Sequence, residues 1–392
     1  MVTLLRKLFI KDYQDVERQD VRVKHGILAA VNGIVVNLLL IGLKLGLAIF
    51  MWSYSGILSL ALVSDAVNNV TDLASGIVTL IGFFYAGKPA DKEHPFGHQR
   101  IEYISGLILS VLVVAAGAEL IFSSIEAIIA GTLVSYDLTG IIILAIAIVL
   151  KLYQLYVYLS LGKAVNSPSL KATSMDSLGD VVASVAMLAS AICSYLLSWN
   201  FLDSYMGVAV GILVAYAGIS MIKETSEPLV GSPISKTLIE SIANDVREDK
   251  RILGVHDIMV HRYGPTLIFI TLDVEMDENE SFTEAHRLIN QIEKKLEKKY
   301  HASVSIHCDP VAPNKPEVIE KKNQALELLK KLDPEASIHD FQIDGENVSF
   351  DVLTPYRGVH PKQEEIQKKM EELFEGSSVN IEFDHPYDGD PD

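Results

Sequence analysis

The chain has 392 residues, 49% of them hydrophobic and 21% charged, with a formal net charge of −17. The charge is uneven: residues 1–222 carry 13 Lys/Arg and 15 Asp/Glu, whereas residues 223–392 carry 20 and 35, so an apolar, near-neutral part precedes an acidic one. This excludes one ordinary soluble globule and wholesale disorder and argues against nucleic acid as a partner. The two cysteines, Cys193 and Cys308, sit in different regions and make neither a disulfide framework nor a cysteine-based zinc module.

A bilayer core takes about 20 apolar residues of helix. Six stretches are long enough, near 28–51, 57–85, 103–129, 138–160, 173–197 and 203–222. The first is too long for a signal-peptide core and has no small-residue cleavage site behind it, so it reads as a span rather than a leader. The tail before it holds Arg6, Lys7, Lys11, Arg18, Arg22 and Lys24. The loop after the second span holds Lys88, Lys92 and Arg100, and the connection after the fourth holds Lys163 and Lys171. The alternate loops near 52–56, 130–137 and 198–202 have no Lys or Arg. The positive-inside rule therefore places both termini in the cytoplasm of a multi-pass membrane protein. An N-in protein without targeting segments fits a bacterial plasma membrane.

Ionisable residues inside a span are costly and mark functional sites. The second span contains Asp65, Asn68, Asn69 and Asp72, and the fifth contains Asp176 and Asp180. Asn68 and Asp72 are four residues apart, as are Asp176 and Asp180, so each pair shares a helix face. Two such helices facing each other would present three carboxylates and an amide oxygen. Isolated carboxylates in that setting must be neutralised by protons or by a cation, so protons and a divalent metal compete for the same oxygens. An all-oxygen set favours Mn2+ or Fe2+ over Zn2+. Lys44 and Glu119 lie at similar depth in the first and third spans and read as a structural ion pair, while Lys151 in the fourth reads as snorkelling or paired elsewhere.

After residue 222 the pattern changes. A strand near 255–262, a strand at 266–276, an amphipathic helix at 282–299 and a strand at 303–307 form a β-α-β-type unit. The pattern then recurs: VHDIMV (255–260) with IHDFQI (338–343), FITLDVEM (269–276) with VSFDVL (348–353), SVSIHCDP (303–310) with SVNIEFDHP (378–386), and a second charged helix at 361–374. This reads as two tandem copies of one α+β module joined by a helical connector near 315–332.

SDAVNNVTDLASG (64–76), KPADKEHPFGHQRIE (88–102), KATSMDSLGDVVAS (171–184) and the run from VHDI (255–258) to SIHCDP (305–310) together make the chain resemble a cation diffusion facilitator over residues 20–312. The resemblance implies a homodimer of six-span subunits, embedded in lipid, with a ferredoxin-like cytoplasmic domain, exporting divalent cations against protons. It implies a transport site at Asn68, Asp72, Asp176 and Asp180. Zinc-transporting members carry His at one of these positions; its lack here is similar to the manganese-exporting branch. The resemblance also implies a secondary metal site at Asp91, His94 and His98, where a helical turn would point both imidazoles at one ion, and cytoplasmic-domain ligands at His256, Asp273, His286, His307 and Asp309. The second module keeps His339, Asp351 and Asp384, with Glu382 in place of His307. The expected organisation is a tail (1–27), a membrane all-α six-span bundle (28–222), a first ferredoxin-like α+β domain (223–312) and a connector with a repeat-like α+β domain (313–392). Alternatives are a Zn2+ or Fe2+ exporter, or a metal-responsive membrane sensor that moves no ions. No nucleophile-plus-base set or cofactor motif appears, so an enzyme is not expected, and no cofactor beyond the transported cation and protons is called for.

Overall fold

A computed structural model describes residues 2–55, 60–131, 138–197, 199, 201–312, 314–354 and 362–384; the side chains of 47, 48, 50–55, 60–68, 71 and 138–140 lie outside that description. The described chain divides into two compact units, 1–231 with 263–266, and 232–262 with 267–392.

The first unit is helical. A short amphipathic helix, α1 (Val2–Phe9), precedes six long ones: α2 (Gln19–Ser55), α3 (Leu60–Ala86), α4 (Ile101–Ile129), α5 (Leu138–Val165), α6 (Pro168–Leu197) and α7 (Leu202–Val230). Among the described residues, five stretches are long and apolar enough to cross a membrane, one in each of α2, α4, α5, α6 and α7. Helix α3 is 27 residues long, and its described apolar part is Asp72–Ala86. Many of the apolar side chains face outward, Leu39, Ile108, Phe122, Val149, Leu213 and Tyr216 among them, as lipid-facing residues must.

Association of such helices depends on close backbone approach. The closest approach is between α4 and α7. A Cβ added at Gly117 would lie 2.6 Å from the backbone nitrogen of Ala215, and one at Gly218 would lie 2.9 Å from that of Val114. Polar contacts tie α3 to α6, where the hydroxyls of Thr79 and Thr173 are 2.9 Å apart in the buried seam.

The second unit holds two small α+β modules. In the first, α8 (Lys236–Val246) leads into β1 (Gly254–Arg262), β2 (Ile268–Asp277), α9 (Phe282–Tyr300) and β3 (Ala302–Val311). The sheet order is β1-β2-β3, with β1 antiparallel and β3 parallel to β2. The parallel pair requires a crossover, and α9 supplies it. Ser281 caps α9, its Oγ accepting from Glu284 N (3.3 Å), in the Ser-x-x-Glu pattern that marks a helix start. Alternate β2 residues Ile270, Leu272, Val274 and Met276 face a core closed by Ile242 and Val246 of α8 and by Leu288, Ile292 and Leu296 of α9. Leu272 is fully buried there, and truncating it to Ala costs about 2–5 kcal/mol.

The second module repeats this order. Helix α10 (Pro316–Leu332) precedes β4 (Ser337–Asp344), β5 (Asn347–Leu353), α11 (Gln363–Leu373) and β6 (Ser378–Asp384). The sheet is β4-β5-β6, again antiparallel then parallel. Each first strand slips register after its histidine, between His256 and Met259 and between His339 and Gln342. Each slip has an aspartate in the left-handed region, Asp257 (φ 48) and Asp340 (φ 44), a conformation Asp tolerates better than most residues.

Candidate metal sites

Three groups of side chains have metal-binding chemistry. The first lies inside the helical unit. Asp72 projects from α3, and Asp176 and Asp180 from α6. Oδ2 of Asp72 and Oδ2 of Asp180 each lie 2.6 Å from one nitrogen, the Nζ of Lys151 on α5. The two carboxylates therefore reach a common point from separate helices. Both are partly accessible, at 21% and 28%, whereas Lys151 is 6% exposed. Asp176 shares the electrostatic field of Asp72, Asp180 and Lys151 and lies beside the Ser75 hydroxyl. The side chains of Asn68 and Asp65 fall outside the described residues.

Of the two readings of Lys151, pairing holds: the side chain is turned inward onto the carboxylates rather than snorkelling. One sequence expectation changes here, for Lys44 does not meet Glu119. Lys44 Nζ donates to Asn69 Oδ1 at 2.9 Å, with both residues buried, while Glu119 is exposed on α4. Equal depth along two helices fixes height in the membrane but not which way a side chain faces.

The second group is Asp91, His94 and His98, whose candidate ligand atoms lie within 4.8 Å of one another. His94 Nδ1 and His98 Nε2 are each 3.5 Å from an Asp91 oxygen, and the rings are 4.5 Å apart. The expected helical turn is not what joins them. Residues 88–100 form turns, with Pro95 in the path and Gly97 at φ 79, a conformation that favours glycine. The Asp91 carboxylate accepts from the backbone N–H of His94 (2.7 Å) and of Glu93 (3.0 Å). The His94 amide, chiefly, holds its pKa below the ordinary carboxylate value.

The third group lies on the face of the β1-β2-β3 sheet away from α8 and α9. His256, Asp273 and His307 occupy one row across the three strands, and Asp309 follows His307 on the same face. His307 Nε2 is 3.1 Å from Asp309 Oδ1, and His256 Nε2 is 3.3 Å from Asp309 Oδ2. The latter two atoms are buried without an aligned hydrogen bond. His256 Nδ1 meets Asp257 Oδ2 at 3.0 Å. His286 does not join them: it is exposed on α9 against the Phe282 ring, and no contact among the described residues links it to the cluster.

The second module presents its matching row, His339, Asp351 and Glu382, across β4, β5 and β6, and packs toward the first. The His339 ring stacks on His256 at 5.1 Å, and Asp340 N donates to Glu275 Oε1 at 3.3 Å. Asp257, Asp351 and Asp384 thereby come within 4.8 Å of one another, as do His256, Asp257 and Asp273. Asp257, whose strained backbone aims it there, belongs to both sets.

The cluster is rich in negative charge, and its titration follows. Burial pushes Asp351 up to about 7, helped by the charges of Asp340, Asp384, Glu382 and Asp257. For His256, burial alone would lower the pKa, but Asp257 and Asp309 outweigh it and hold it up at about 10. Both groups bind protons more tightly folded than unfolded. Their stabilisation is present at low pH and lost as pH rises, from 3.8 to about 7 for Asp351 and from 6.5 to about 10 for His256. In metal-free buffer the calorimetric transition of the second unit should fall in temperature across both windows. Asp351→Asn should flatten the lower arm and His256→Gln the upper. A transition temperature that held level from pH 4 to 10 would contradict this account.

Comparison with known proteins gives the same outline. Residues 33–230 match the cation efflux transmembrane domain, and residues 234–311 match the cation efflux protein cytoplasmic domain. The chain is 26% identical over 282 residues to the cation-efflux pump FieF of Salmonella typhi, covering 72% of this chain and 91% of that one. It is likewise 26% identical over 283 residues to FieF of Citrobacter koseri, covering 72% and 92%.

Proposed function

The chain belongs to the cation efflux family, the cation diffusion facilitators, and from that premise we propose that it exports divalent metal cations from the cytoplasm in exchange for protons, with Mn2+ as the preferred cargo. The observation that carries this reading is the convergence of Asp72 and Asp180, from two apolar helices, on a single cationic nitrogen. A pocket that already gathers two carboxylate oxygens around one positive charge has the chemistry to hold a metal ion. Asp176 and Asn68 complete the transport site. Its donors are all oxygen, which suits Mn2+ better than Zn2+.

Metal enters from the cytoplasm and takes the oxygens of Asp72, Asp176 and Asp180. The spans then rock to open the site outward, as in alternating access. Higher proton activity outside protonates the carboxylates and releases the ion. Helices α2 to α7 serve as six spans, with both termini in the cytoplasm. Two copies pair through the first cytoplasmic module. The second module is a tandem copy of the first; the shared strand order, register slip and left-handed aspartate support that origin. The Asp91–His94–His98 turn and the His256 cluster hold cytoplasmic metal and report its level to the transporter.

The test is uptake of Mn2+, Fe2+, Zn2+ and Ca2+ into proteoliposomes carrying an internal pH reporter. Metal entry with matching proton exit, fastest for Mn2+, is expected. Metal binding without flux would leave a sensor, and equal rates for Zn2+ and Mn2+ would remove the oxygen-donor argument for selectivity.

A further inference from the structure

We infer that Lys151 is a tethered counter-cation that occupies the transport site between cargoes and competes with the divalent ion for Asp72 and Asp180. This rests on the transport-site reading above. The geometry is specific. Lys151 lies midway along α5, a helix that contributes none of the proposed ligands. Its Nζ reaches Oδ2 of Asp72 and Oδ2 of Asp180 at 2.6 Å each. Both are short, charge-assisted hydrogen bonds, and the side chain is buried.

A divalent ion bound to those oxygens would sit at contact distance from the ammonium. Two positive charges that close repel strongly in a poorly solvated site, and the donor and the metal would need the same lone pairs. Occupation by one therefore excludes the other. The chain also offers a place for the displaced ammonium. Gln154 lies three residues along the same helix face; its side chain is buried, and its Oε1 has no hydrogen-bond partner among the described residues. Turning from the aspartates to that amide oxygen would keep Lys151 paired while the metal is bound.

The consequence is for the empty site. Without Lys151, protons alone would have to neutralise Asp72, Asp176 and Asp180 before the vacant transporter could return. With it, the ammonium offsets part of that negative charge and the exchanged protons offset the rest. The same charge weakens metal binding, which favours release to the outside.

The experiment is Mn2+ titration calorimetry on the full-length protein in lipid nanodiscs at one fixed pH. The binding step that Asp72→Asn removes defines the transport site against the cytoplasmic sites. At that step Lys151→Met should bind Mn2+ at least about tenfold more tightly, the equivalent of the ~1.4 kcal/mol or more that two charge-assisted bonds to a competitor represent. Lys151→Gln keeps a donor while losing the charge; it should shift affinity the same way and serves if the Met variant does not fold. Lys151→Arg keeps the charge and should bind no more tightly than the wild type. Unchanged or weaker affinity in both neutral variants, with the Asp72→Asn step still lost, would overturn the competitor role alone. Retention of every binding step in Asp72→Asn would overturn the transport-site reading and this inference with it.

Discussion

Asp72→Ala and Asp180→Ala should each reduce metal flux into proteoliposomes on the order of a hundredfold or more, to the level of empty vesicles. The magnitude follows from what each substitution removes. Losing even an outer-shell partner of a metal site typically costs 10- to 100-fold in affinity or activity, and here a charged ligand itself is lost. Each truncation also leaves the buried Lys151 ammonium with one carboxylate instead of two, so the pocket becomes more positive as it loses an oxygen donor. Both changes act against a divalent cation. The Asn variants separate charge from shape: Asp72→Asn and Asp180→Asn keep a side-chain oxygen of similar size and should still lose most of the flux. Folding is checked by thermal unfolding of the helical unit in detergent, since both substitutions lie there, and each variant should keep a cooperative transition. Cytoplasmic metal binding should also persist, because the Asp91 and His256 groups share no residue with the transport set. Wild-type flux in both alanine variants would remove Asp72 and Asp180 from the mechanism.

The candidacy of Asp72 and Asp180 was legible in the sequence because charge within an apolar run is conspicuous whatever the fold. Their direction was legible too, since residues four apart must share a helix face. For Lys151 a partner was one of two readings but its identity was not legible, for the residue stands alone on its helix and hydropathy does not say which face looks inward. The same ambiguity undid the Lys44–Glu119 pairing. In the acidic part, alternation predicted the strands well: SVSIH and VSFDVL lie within β3 and β5. The cap at Ser281 marked the start of α9. Helix α8 was not among the expected elements, although Ile239, Ile242 and Val246 follow helical spacing. The placement of His286 came from resemblance alone, and a helix surface position does not reveal whether it reaches the sheet. What no local pattern could supply was the facing of the two modules, which brings Asp351 and Asp384 beside Asp257 across about a hundred residues of chain.

Glu102→Ala should be the most destabilising single substitution in the helical unit outside the apolar core, at about 3–5 kcal/mol, the usual cost of breaking a buried ion pair by removing one partner. Glu102 lies in the first turn of α4 and is 1% exposed. Arg22 of α2 meets it with both arms of its guanidinium, Nε to Oε2 at 3.0 Å and Nη2 to Oε1 at 2.7 Å. Arg22 Nη1 also donates to the carbonyl of Val165, where α5 ends. Ser167 Oγ donates to Glu102 Oε1 at 2.6 Å while accepting from Leu170 N in the first turn of α6. One carboxylate thus ties the ends of α2, α4, α5 and α6, and the helix N-terminus favours its negative charge. Removing it strands a buried guanidinium, whereas removing both charges does not. Arg22→Met combined with Glu102→Met should therefore recover much of the loss, giving a large coupling in a double-mutant cycle. Thermal or denaturant unfolding in detergent measures each variant against Glu17→Ala, an exposed control just before α2. If Glu102→Ala unfolded no more readily than that control, the pair would be a surface-like contact and the four helix ends would be held by apolar packing alone. The ends it joins include those of α5, which carries Lys151, and α6, which carries Asp176 and Asp180. A loosened clamp should therefore show first as slower flux at temperatures where the protein is still folded, with metal affinity at the transport site little changed.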